Sequence, residues 1–74
     1  MQRTLKTNEM NPDGVLVAID LTLLFRGSSF FVPCLNIVGA KKQALDIGRW
    51  NGLTLKPYTV IEEGLLGIRV WCAS

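Results

Sequence analysis

Glu62-Glu63-Gly64-Leu65-Leu66-Gly67-Ile68-Arg69-Val70-Trp71-Cys72 reads as a tight connection followed by an alternating strand. Side chains of an extended chain point to opposite faces in turn. Leu66, Ile68, Val70 and Cys72 therefore share one face, and Gly67, Arg69 and Trp71 the other. Glu63-Gly64 is a short Gly-containing link of the kind that closes hairpins, so Leu53 to Glu62 and Leu65 to Ala73 are expected to pair antiparallel. Pro57 cannot donate to a ladder, which places its strand at an edge or a bulge. Where Lys56, Tyr58 and Val60 point depends on that choice.

Working towards the N-terminus, Ile37, Ala40, Ala44 and Ile47 recur at spacings of three, four and three, one face of a helix. Asn36 is a suitable N-cap. Asn51-Gly52 supplies residues that tolerate a positive φ, so the helix is expected to stop there. Lys41, Lys42, Asp46 and Arg49 fall off the apolar stripe, and the small Gly39 and Ala residues allow close approach to a sheet. Before the helix, Ser29 to Leu35 carries Phe30, Phe31 and Val32 and suits a strand, with Pro33 ending it or marking an edge. The elements make a small α+β protein, a βαββ unit in which one helix packs on an antiparallel sheet.

An additional N-terminal strand is expected from Val15 to Phe25. Val17, Ile19, Leu21, Leu23 and Phe25 are apolar at every second place, although the abundance of Leu and Ala keeps a helix as the rival. Arg26-Gly27-Ser28-Ser29 breaks the run. Asn11-Pro12-Asp13-Gly14 has the composition of a turn, and the polar stretch before it lacks periodicity. Residues 1–14 are accordingly expected to be a disordered arm and residues 15–74 a single domain.

The chain has 74 residues, of which 49% are apolar. So short a domain buries only roughly 60% of its unfolded surface, and the excess of apolar and aromatic side chains over what one helix can cover predicts a homodimer or another obligate partner. The formal charge of +2 is unevenly spread: residues 26–74 hold six basic and three acidic groups, residues 1–25 two and three. That permits phosphate contact without the dense basic footprint of a dedicated nucleic-acid binder. Polar residues within the first twenty speak against a signal peptide, and the longest apolar run, eleven residues with Asp20 inside it, falls short of the ~20 needed to span a bilayer. Cys34 and Cys72 are expected as buried free thiols, with a disulfide between them as the lesser reading. There is no His and no Cys-x-x-Cys, so no metal site or cofactor is expected. Nor is an enzyme: the only bases are carboxylates and lysines, and adjacent Glu62 and Glu63 point to opposite faces of a strand.

Ser29-Phe30-Phe31-Val32-Pro33, the helix with its basic residues, and Glu62-Glu63-Gly64 followed by Gly67-Ile68-Arg69-Val70-Trp71 together resemble a set of small bacteriophage proteins. These have Gly, acid, Ser, Phe, Phe, Val, Pro near the start and close on Gly, Val, Arg, Val, Trp and a basic residue. The resemblance covers roughly residues 19–73. Ser28 stands where the acid is usual and Cys72 where Arg is usual, so a phosphate contact by that terminal Arg does not carry over. What the resemblance implies is a phage or prophage origin and a place in the host-cell cytoplasm; it brings no activity with it.

The sharpest functional feature is Arg69 alternating with Trp71, with Lys56 and Tyr58 beside them on the neighbouring strand. Basic and aromatic sheet faces stack bases and grip phosphates in several small domains. Lys41, Lys42 and Arg49 form a second possible phosphate-contacting edge. Against this stands a plainer reading, in which the aromatics fill a dimer interface or pack under the first strand while Arg69 reaches to water. Trp50 is either a staple onto the hairpin or an exposed anchor. The expected function is thus a non-catalytic accessory or regulatory protein that binds DNA or RNA through this face. The alternative is one that binds a host protein, such as a polymerase or defence nuclease, through a sheet edge or apolar patch.

Overall fold

The computed structural model describes residues 8–73. It is an α+β fold of one helix and five strands in two antiparallel sheets: β1 (Glu9–Met10), β2 (Val17–Ala18), β3 (Ser29–Pro33), α1 (Ile37–Asn51), β4 (Leu55–Glu62) and β5 (Leu65–Cys72). β1 pairs with β2, and β3, β5 and β4 form a three-stranded sheet in that order. The last strand of the chain is therefore the central one. Both prolines of the three-stranded sheet fall where a missing donor is harmless: Pro33 ends β3 and Pro57 lies in β4, and both strands are edges.

The β4–β5 turn has positive φ at both central residues, 52° at Glu63 and 78° at Gly64. That is the type I′ pattern, whose twist matches the flanking strands. It sets the register Glu62↔Leu65 through Leu55↔Cys72. On the other side of β5, Phe31 is aligned with Arg69 and Ser29 with Trp71.

Asn36 caps α1, its side-chain oxygen accepting from the Gly39 N–H, and Gly52 closes the helix with φ 68°. Ala40, Ala44 and Ile47 are fully buried against Val32, Ile68, Val70, Cys72 and Leu55. Small residues at these places bring the helix axis close to the sheet. Gly48 has a specific reason to lack a side chain: a Cβ there would lie 2.8 Å from the Leu53 carbonyl oxygen.

The Val15 to Phe25 segment is not the long strand expected. Only Val17–Ala18 is extended, and Leu21–Leu23 is a turn of 3-10 helix capped by Asp20, whose carboxylate accepts from the Thr22 N–H at 3.0 Å and its hydroxyl at 2.6 Å. Local side-chain bonding of this kind diverts the backbone from a ladder. The alternation consequently buries little: Ile19 is buried, but Leu23 and Phe25 are 64% and 67% exposed.

The expected arm also differs from what is found. Residues 1–7 lie outside the described residues, but within them Met10 has no exposed surface and belongs to the core. Asp13 accepts from the backbone N–H groups of Leu35 (2.8 Å) and Asn36 (2.8 Å), and Asn36 returns a bond to the Pro12 carbonyl. Gln43 and Asn11 exchange two more. These contacts fasten residues 8–14 across the start of α1.

Cys34 and Cys72 are both buried free thiols. The Cys34 N–H bonds the Leu66 carbonyl, six residues from Cys72 along β5, or about 20 Å at strand rise. The disulfide reading is therefore excluded.

Candidate functional site

Helix α1 covers the face of the sheet formed by Val32, Ile68 and Val70, which leaves the opposite face uncovered by any element among the described residues. Two cross-strand rows lie on that open face. Lys56, Trp71 and Ser29 make one, and Tyr58, Arg69 and Phe31 the next. Rows two residues apart along a strand are separated by about 7 Å, and directly opposed side chains touch. Tyr58 and Trp71 are 53% and 46% exposed, so their rings are presented to solvent.

Arg69 is the most constrained of the group. Its Nε donates to Glu62 Oε2 at 2.8 Å, its Nη2 donates to Glu62 Oε1, and its Nη1 donates to Ser29 Oγ at 3.3 Å. Its guanidinium carbon also lies 5.8 Å from the centre of the Phe31 ring, within cation–π range. Gly67 sits between Arg69 and the turn on this face, and the Phe31 ring closes over it: a Cβ on Gly67 would meet the Val32 carbonyl oxygen, and would come within 2.9 Å of the ring. Donation from Arg69 holds the Glu62 carboxyl below the usual carboxylate range, against a smaller opposing effect of desolvation, and the same bond raises Arg69 further. Both groups stay ionised near neutrality.

The seven expected site residues divide. Lys56, Tyr58, Arg69 and Trp71 come together, with Phe31 as a member the sequence reading used only as strand material. Lys41, Lys42 and Arg49 belong to α1, on the other side of the sheet, and do not join them. Arg49 is paired there with Asp46. The sequence places Glu62 at the end of its strand but not beside Arg69, because that partner is seven positions away and across a strand pair, a relation visible only once the register is known. On the open face two cations therefore meet one carboxylate, and Lys56 supplies the positive balance.

Trp50 is 49% exposed. It lines a cleft of about 240 Å³ with Glu9, Gly39, Lys42, Gln43 and Asp46. Among the described residues no group of three His, Cys, Asp or Glu side chains gathers to hold a metal ion, and no helix is long and apolar enough to cross a membrane. Burial, the nearby charge of Asp13 and, against them, a bond from the Ile68 backbone leave the Cys34 thiol above its ordinary pKa, the opposite of what a nucleophile requires.

No family model, no curated protein and no solved structure matches the chain.

Proposed function

We propose that the protein is a non-catalytic binding module that takes single-stranded nucleic acid on its open sheet face. The observation that carries this reading is the registration of Lys56 with Trp71 and of Tyr58 with Arg69 and Phe31 on the face that α1 leaves bare. Rings presented on adjacent strands offer successive bases a stacking surface whatever their sequence, and each stacked base contributes about 1–3 kcal/mol. Lys56 and Arg69 lie between the rings, where phosphates of the same strand would pass. Tyr58 and Trp71 serve stacking, Phe31 supports Arg69, and Lys56 supplies charge.

The resemblance to small bacteriophage proteins supports a phage or prophage accessory role in the host cytoplasm. Its motif residues Phe31, Arg69 and Trp71 belong to this face. Binding of a labelled oligothymidylate or oligouridylate at low ionic strength tests the reading. Affinity is expected to fall with salt, and Trp71→Ala is expected to weaken it about tenfold, the equivalent of one lost stack, with folding intact by circular dichroism. Absence of any salt-sensitive shift removes it.

A second reading has its own observation. Cys34 and Cys72 of the flanking contacts show that even-numbered residues of β5 bond towards β3, so its odd-numbered residues face β4, and Leu55, Thr59 and Ile61 of β4 direct their free backbone groups outward. Ile61 is also 72% exposed. A host protein, or a second copy of this chain, would add a strand here. Capture that survives nuclease and high salt favours that reading over the first, and light scattering of the isolated protein distinguishes the second copy.

A further inference from the structure

Resting on the nucleic-acid reading of the open face, we infer that Arg69 is its phosphate subsite and that Glu62 occupies this subsite as a built-in competitor for the phosphodiester.

A carboxylate and a phosphate present the same pair of oxygens to a guanidinium, and Arg recognises both through two parallel N–H donors. In the folded chain those two donors, Nε–H and Nη2–H, go to the two oxygens of Glu62. The Ser29 hydroxyl and the Phe31 ring hold the guanidinium from other directions. Arg69 is thus fixed and aimed before any ligand arrives, which removes the ordering that a free arginine would undergo on binding.

The position of the pair makes exchange feasible. The side chains of Arg69 and Glu62 retain 27% and 33% of their exposure, so the carboxylate can swing to water without leaving a buried charge behind. Glu62 is the last residue of β4, beside the turn, where its displacement leaves the helix-covered core untouched. A half-buried ion pair that still reaches solvent is weakened by water and salt; a polyanion whose bases are already stacked on Tyr58 and Trp71 competes with it at high effective concentration.

The consequence is a threshold. With Glu62 in place the cationic character of Arg69 is cancelled, so isolated anions gain little, and only a ligand that also stacks displaces the carboxylate. Selectivity for a single strand over free phosphate or nucleotides follows.

The test compares wild type, Glu62→Gln and Glu63→Gln for binding of a labelled twelve-residue oligothymidylate at several salt concentrations, with thermal unfolding as a check on folding. Both variants lose the same formal charge, but only Glu62 touches Arg69. Glu62→Gln is expected to tighten binding about two- to fivefold, the range of a solvent-accessible ion pair removed from competition, and Glu63→Gln by less than half of that. Equal effects of the two variants, or no gain in Glu62→Gln, overturn the competitor role while leaving the face reading intact. Failure of wild type and both variants to bind removes both. Should Glu62→Gln not fold, the Nε–H resonance of Arg69 in the wild-type protein decides: it is expected to shift on adding the oligonucleotide and to stay in place with inorganic phosphate at equal charge, and an unmoved resonance with the oligonucleotide overturns the inference.

Discussion

Asp13 is an exposed carboxylate with an outsized structural role, because its two oxygens hold the backbone N–H groups of Leu35 and Asn36 just before α1 begins. Removing a side chain that satisfies such donors costs about 0.5–2 kcal/mol, so Asp13→Ala is expected to lower the midpoint of urea unfolding without changing its slope. Gly67→Ala is expected to be worse, since the added Cβ meets backbone atoms of β3 that no side-chain rotation relieves; loss of the cooperative transition at 37 °C is the expected result. Glu63 works in the opposite direction. Its φ of 52° suits Gly or Asn better than Glu, and Glu63→Asn is expected to raise stability by about 0.5–1 kcal/mol. Acid acts through Glu62. Because its folded pKa lies below the unfolded one, its contribution is complete above the unfolded value near 4.3 and disappears as the pH falls through the lower, folded value. Glu62→Gln is therefore expected to flatten the acid limb of the unfolding profile.

At the level of elements, legibility followed how many independent signals agreed. Helix α1 was readable end to end because Asn36, the Ala40–Ala44–Ile47 stripe and Gly52 each point to the same segment. The hairpin was readable because alternation in β5 and a two-residue turn fix one register. The Val15 to Phe25 segment had alternation alone, and Asp20 overrode it by bonding locally. The site follows the same logic. Arg69 and Trp71 share a strand, so their common face was visible from sequence, and Lys56 and Tyr58 followed once β4 was aligned. Phe31 and Glu62 were not legible as members, since their contacts with Arg69 depend on which strand occupies the centre of the sheet.

For the molecule as a whole, two different surfaces result from one thin architecture. A single helix covers one side of three strands, and among the described residues no other element covers the opposite side. Large aromatic side chains on that face consequently remain outside, among them Tyr58 and Trp71 at 53% and 46% exposed. Stability of so small a core is modest. A ligand on the open face is expected to raise the unfolding temperature in proportion to the logarithm of its concentration, and a thermal shift series with oligothymidylate measures this directly. Salt should reduce that shift, because the ligand's phosphates release counterions on binding.

The two thiols stand at opposite ends of the central strand, each shielded and unbridged. Brief exposure to an alkylating reagent followed by mass mapping would therefore time the fraying of each end separately in the unaltered protein. Labelling at Cys34 reports opening near the strap held by Asp13, labelling at Cys72 reports opening where β5 meets the start of β4, and the ratio of the two tells which end of the sheet lets go first.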